Sequence, residues 1–213
     1  MVQDSRPLVG ISSCLLGNKV RYDGNDKVHP VAVERLTQAV QLLPICPEAA
    51  VGLGIPRAPV QLVAHDNSLK ALGKENRALD VSAKLSNMGR IAARVYPDLC
   101  GYVTQSRSPS CGYLSTPTHT MAGEPTGFDS GLYINEVLKA QPWLPVIEDT
   151  DLSDSKRVDC FLQYCFWLHR WQQLPLDQFR EHHEAEIKQI QHQHFEHTMA
   201  FLEHHLRQDE SPL

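Results

Sequence analysis

Apolar and polar positions fall into blocks that read, in turn, as short strands and amphipathic helices. Leu8-Val9-Gly10-Ile11-Ser12 is a short β-branched, apolar run that breaks at Ser13-Cys14-Leu15-Leu16-Gly17, so a strand ends there in a glycine turn. Pro30 at a first helical position, with Val33, Leu36, Val40 and Leu43 at helical spacing, predicts a helix closed by Pro44. Ile45-Cys46-Pro47-Glu48 then reads as a short strand whose end Pro47 helps fix, because proline cannot continue a central ladder. Residues 52–59, rich in Gly and Pro, predict a loop, and Val60-Gln61-Leu62-Val63 an edge strand. Val81, Leu85, Met88, Ile91, Ala92 and Val95 mark a helix over 81–96, capped by Asp80 or Ser82 and stopped by Pro97. Residues 99–104 are a buried-strand candidate that runs into a polar, turn-forming loop over 105–112.

Residues 112–131 predict a loop or β-hairpin over the mouth of a site, followed by a helix closing at Val137-Leu138 and a last strand over 143–147. Strands alternating with helices imply right-handed crossovers and a parallel sheet covered on both faces, an α/β fold. From Asp151 the texture changes: Phe161-Leu162 and Tyr164-Cys165-Phe166-Trp167-Leu168 predict a buried helix, and 177–207 a long one. The chain thus divides into an α/β domain over 1–150 and a small all-helical appendage over 151–213.

The 213 residues, 42% hydrophobic and 21% charged, exclude a disordered or collagenous chain. A formal charge of −5 removes the overall basic balance of a dedicated nucleic-acid binder, though a local basic mouth from Lys19, Arg21, Lys27, Arg57 and Arg107 stays open. Residues 1–12 show no basic stretch leading into an apolar one, and no apolar run approaches the roughly 18 residues of a membrane span. The expectation is a cytoplasmic protein without a membrane partner.

In that compartment the six cysteines are candidates for core filling, metal binding or catalysis before disulfides, and none forms a C-x-x-C pair. Cys14, Cys46 and Cys111 each follow a predicted strand. A parallel sheet carries its ligands outside the strands' carboxyl ends, so pairing would bring these thiols to one edge despite their spacing. They are then either small buried hydrophobes or an incomplete cage for a cube-shaped iron–sulfur cluster, with one iron left open for a sulfur-bearing substrate. Glu48, two residues beyond Cys46, is placed either for proton transfer or as a turn cap. Ser108 and Ser110 bracket Pro109 before Cys111, and either shape the loop or bind a substrate carbonyl. Cys160 and Cys165 lie about 140° apart on a helix and read as core, as does Cys100. Eight of eleven histidines lie from His169 onward; of these, His192, His194, His197, His204 and His205 show no three-ligand spacing and read as a solvated helix face.

Ser13-Cys14-Leu15-Leu16-Gly17 with Arg21-Tyr22-Asp23-Gly24, then Cys46-Pro47-Glu48 with Gly52 and Pro56-Arg57, then Ser106-Arg107-Ser108-Pro109-Ser110-Cys111-Gly112, together resemble the thiouracil desulfidase family over roughly residues 6 to 150. The resemblance implies a Rossmann-like α/β domain holding a [4Fe–4S] cluster on Cys14, Cys46 and Cys111. It implies Glu48 as catalytic acid/base and Ser108 as an assisting hydroxyl, with Arg21, Tyr22, Asp23 and Ser110 at the substrate or its loop. The tail resembles a shortened form of a helical domain fused to desulfidases acting on 4-thiouridine in tRNA. The expected reaction replaces the sulfur of a thiolated uracil, free or in tRNA, with oxygen from water and releases hydrogen sulfide. The rival is an iron–sulfur binding or sensor protein without turnover, which has no use for a carboxylate at Glu48.

Overall fold

The structure, a computed structural model, describes residues 6–66 and 68–173. Two four-stranded sheets share the described residues. The first is fully parallel, in the order β2 (Gln41–Ile45), β1 (Leu8–Ser12), β5 (Leu99–Thr104), β8 (Val146–Glu148). The second is mixed, in the order β4 (Ser68–Gly73), β3 (Val60–His65), β6 (Thr116–His119), β7 (Pro125–Asp129).

Period-two alternation explains how the parallel sheet is covered on both faces. Val9, Ile11 and Val103 point to one side, where they pack with Val158, Phe161 and Cys165 of α5 (Ser155–Gln173) and with Ala32 and Leu36. Leu8 and Tyr102 point to the other, onto Ala92 of α3 (Ser82–Val95) and Tyr133, Ile134 and Val137 of α4 (Leu132–Ala140). Helix α5 lies so close that a Cβ on Gly101 of β5 would come within 2.5 Å of Cys165 Sγ, so only glycine fits there. The first helix of the region after Asp151 therefore forms one wall of the α/β core.

The α/β architecture with a C-terminal helix agrees with the sequence; several local details differ. The helix expected to reach Leu43 is a π-helical turn over Ala32–Leu36 continued by α1 (Thr37–Ala39), and Leu42 to Ile45 belong to a strand. A proline inside that strand is tolerated because β2 is an edge, where a missing N–H breaks no ladder bond. Residues 60–63, read as an edge strand, form instead the interior strand β3, paired on both sides by β4 and β6. Strand β4 carried no sequence signal. The 112–131 segment is a hairpin, as allowed, and it enters the second sheet. Asp80 accepts hydrogen bonds from the Ser82 N–H and hydroxyl at the start of α3. The long helix expected over 177–207, with its histidines, lies outside the described residues.

Candidate functional site

The chain leaves β1 in one direction to form β2 and later returns to its other side as β5, so a crevice opens beyond the carboxyl ends of these strands. Cys14 sits in the 3-10 turn Ser13–Leu16 after β1, and Cys46 precedes the short helix α2 (Pro47–Ala50) after β2. Cys111 closes the loop that follows β5. All three line one cavity of about 640 Å³, together with Glu48, Ser108, Ser110, Arg21 and Tyr22. Residues of the second sheet, among them Gln61, Thr116 and His119, line the same cavity.

Asp23 does not reach the lining. It accepts the Asn25 N–H, which holds its carboxyl below the usual range, and it pairs with Arg21 at 3.6 Å, so it shapes the loop that carries Arg21 and Tyr22. Of the basic residues expected at the mouth, Arg21, Lys27, Arg57 and Arg107 line the cavity and Lys19 does not. Cys100, Cys160 and Cys165 are also absent from the lining. Cys100 and Cys165 are buried; Cys160, expected as core, is half-buried on α5.

Burial pushes the Cys14 thiol up to about 11, against a downward pull from Arg21, and the Cys111 thiol up to about 12, against hydrogen bonds from Ser12 and Ser110. Thiols of that kind give up their protons only to a strongly bound cation. Among the described residues no three His, Cys, Asp or Glu groups converge closely enough to hold one metal ion. A cluster that takes each thiolate on a different iron asks for wider spacing, and sulfur donors beside guanidinium groups, two of them buried and Cys46 half-buried, suit its softness and negative charge.

The loop holding Cys111 is fixed from inside and from outside. Ser108 Oγ accepts the N–H of Cys111 at 3.1 Å and that of Ser110 at 3.4 Å, winding 108–111 into a turn. The first amides of α4, which have no partner within their own helix, donate to the carbonyls of Pro109 and Ser110. This needs close approach: a Cβ on Gly131 would stand 2.4 Å from the Ser110 carbonyl carbon. At the far end Asp149 Oδ1 accepts the Ser106 N–H at 2.7 Å while its other oxygen pairs with Lys27 at 2.7 Å.

Glu48 is buried at the cavity wall and held on both oxygens. Ser110 Oγ donates to Oε1 at 2.9 Å, and Arg57 Nε donates to Oε2 at 2.9 Å. Removing one partner from such a buried pair leaves a lone charge, at a cost of ~3–5 kcal/mol. The hydroxyl that touches the carboxylate is thus Ser110, with Ser108 one step behind at 3.1 Å from the Ser110 oxygen.

A model of the family described as 2-thiouracil desulfurase matches residues 9–149. The chain belongs to the 2-thiouracil desulfurase family. The match spans β1 to the turn after β8, and with it every residue of the cavity lining. Among solved structures, a [4Fe-4S]-dependent thiouracil desulfidase, TudS, superposes with a TM-score of 0.57 at 22% identity, over 73% of this chain and 99% of that one. Comparison with curated proteins gives no match.

For this member of the desulfurase family, three features of the site went unread in the sequence. Arg57 is a buried partner of Glu48, whereas its position in a Pro-rich loop suggested only the mouth. Gln105, on the lining, accepts from Arg21 Nη1 at 3.4 Å and lies 3.8 Å from Cys14 Sγ. Lys74 enters the lining from the end of β4, a strand without a sequence signal.

Proposed function

We propose that this chain is a [4Fe–4S]-dependent desulfidase that converts a thiolated uracil to uracil, with water as the oxygen source and hydrogen sulfide as the other product. The net change turns a thiocarbonyl and one water into a carbonyl and one hydrogen sulfide; no electrons are consumed. Cys14, Cys46 and Cys111 are the three protein donors that fit the cluster, which when bound supplies a Lewis-acidic iron with affinity for sulfur.

The observation that carries the reading is the Glu48 carboxylate, which lines one cavity with those three thiols and already holds a hydroxyl proton donor, Ser110, on Oε1. In that position Glu48 takes a proton from the attacking water and returns it as the sulfur departs. Ser110 keeps Oε1 oriented, and Ser108 steadies Ser110. Arg21 and Tyr22 stand where a pyrimidine ring enters, the guanidinium lying 5.8 Å from the Tyr22 ring centroid. A pure sensor has no need of this carboxylate.

The cavity also bears on the substrate's size and charge. Its lining holds the cations Arg21, Lys27, Arg57, Lys74 and Arg107 against the single carboxylate of Glu48. Among the described residues Lys74 and Arg107 have no ion-pair partner. This favours a thiouridine that carries phosphate, as a nucleotide or within RNA, over a neutral free base.

The deciding experiment is anaerobic reconstitution with iron and sulfide, followed by assay of sulfide and desulfurated product from thiouracil, a thiouridine monophosphate and thiolated tRNA. Turnover of any of them supports the desulfidase reading. Protein that carries a full cluster and turns over none of them overturns it in favour of binding or sensing.

A further inference from the structure

Arg57 is 5% exposed in its side chain, in a loop whose neighbours Pro56 and Ala58 are exposed, and its donors are spent on particular acceptors. Nε donates to Glu48 Oε2 at 2.9 Å. Nη1 donates to the Val20 carbonyl at 2.8 Å and the Gly54 carbonyl at 3.1 Å, and Nη2 lies 3.9 Å from Cys46 Sγ. Its backbone N–H donates to the Tyr22 carbonyl at 2.8 Å. One side chain thus joins the Glu48 carboxylate, a candidate cluster thiol and the loop that carries Arg21 and Tyr22.

We propose that Arg57 is the positioning residue of the desulfuration site, fixing the Glu48 carboxylate so that Oε1 faces the reacting carbon. This rests on the desulfidase reading given above. A carboxylate held only by Ser110 is free to turn about its last bond and exchange its two oxygens. With Oε2 engaged by Arg57, only Oε1 remains for Ser110 and water. The planar fork matters as much as the charge. A lysine ammonium is a point donor and cannot bond Glu48 while spanning Val20, Gly54 and Cys46 in one plane.

The test is a cycle of wild type, Arg57→Lys, Glu48→Gln and the double variant, all cluster-loaded, together with a crystal structure of Arg57→Lys. Misplacing a catalytic group by about 1 Å costs on the order of 100-fold, so Arg57→Lys is expected to lose about that factor in kcat, with KM within roughly threefold of wild type. In the Glu48→Gln background the same change should cost less than about threefold, because a residue acting through Glu48 has nothing left to position. In the crystal the Glu48 carboxylate, held by Ser110 alone, is expected to be turned out of its wild-type plane or split between two orientations. Guanidinium added to Arg57→Ala should restore part of kcat.

Equal losses in both backgrounds, or wild-type kcat in Arg57→Lys, would overturn the proposal. Loss of iron from both Arg57→Lys and Arg57→Gln would overturn it too, in favour of a role in holding the cluster. If wild type itself shows no desulfuration, the desulfidase reading fails separately. The crystal structure then still decides whether Arg57 orients Glu48.

Discussion

Ser110 and Glu48 lie 62 residues apart in the chain and share a 2.9 Å hydrogen bond. That bond ties the loop after β5 to the segment after β2, and so couples the surroundings of Cys111 to those of Cys46. Because Glu48 is buried and its second oxygen is taken by Arg57, the two bonds together hold both carboxylate oxygens.

Glu48→Gln keeps size and hydrogen bonding but cannot exchange a proton. Its iron content and visible spectrum should match wild type, while the desulfuration rate falls on the order of 100-fold or more. Ser110→Ala should cost less, about tenfold, the worth of one hydrogen bond to a charged group. Steady-state kinetics on cluster-loaded protein checks both; wild-type turnover in Glu48→Gln would leave that residue a purely structural tie between Ser110 and Arg57.

Replacing Cys14, Cys46 or Cys111 by Ala should each abolish the iron–sulfur absorbance and reduce bound iron and sulfide to background after anaerobic reconstitution. Cys100→Ala, Cys160→Ala and Cys165→Ala should leave iron content unchanged, since none of those residues reaches the cavity. Iron loss from Cys160→Ala equal to that from Cys46→Ala would sink the ligand assignment.

Gly131→Val drives a side chain into the Ser110 carbonyl, because even its Cβ would stand 2.4 Å from that group. Relieving the clash must push the 108–111 turn away from α4. Overpacking of this kind costs about 1–3 kcal/mol, which for a chain of this size lowers Tm by roughly 2–12 °C. Lower iron occupancy should accompany the drop, because the displaced turn carries Cys111. A thermal melt and an iron assay on one preparation check the pair of effects.

Lys74→Ala and Arg107→Ala should raise KM for a thiouridine monophosphate several-fold, by about 1 kcal/mol of lost binding per phosphate contact, and leave free thiouracil unaffected. Turnover of the charged substrate should weaken between about 50 and 200 mM salt while that of the neutral base stays level. A probe of RNA docking through the tail must cut after Gln173, since Phe161 and Cys165 of α5 pack against β5. If the cut protein keeps its iron and treats thiolated tRNA as the full chain does, residues 174–213 have no part in docking.

Burial raises the Asp149 carboxyl, and the Lys27 ammonium and Ser106 amide outweigh that, so its folded pKa lies below the ordinary 3.8. A depressed carboxylate contributes stability that is complete above its unfolded pKa of about 3.9 and is lost as pH falls through the lower folded value. Asp149→Asn should therefore be less stable than wild type at pH 7 by on the order of 1 kcal/mol, screened because Lys27 is 41% exposed. The gap should begin to narrow below about pH 3.9 and so be smaller at pH 3 than at pH 7. Urea unfolding at both pH values measures it, and a gap that widens in acid would contradict the assignment.

The sequence by itself determined the parallel α/β frame and the meeting of Cys14, Cys46 and Cys111. Buried strands announce themselves as apolar runs, and parallel pairing necessarily collects the residues after such strands at one edge. It did not determine where the first helix stops, because Leu43 continues the helical spacing of Val33, Leu36 and Val40 and joins a strand only where β1 offers it a ladder. It also left β4 unread, and with it the joining of β3 and the 112–131 hairpin into a second sheet, since β4 gains its stability from pairing with β3 rather than from its own residues. Only the tertiary structure decided that Ser110 rather than Ser108 touches Glu48, that Arg57 turns inward to take its other oxygen, and that Lys74 crosses from the second sheet to the cavity. Those choices depend on how the loops after β2, β4 and β5 fold against one another, and no local spacing encodes which polar partner a buried charge will find there.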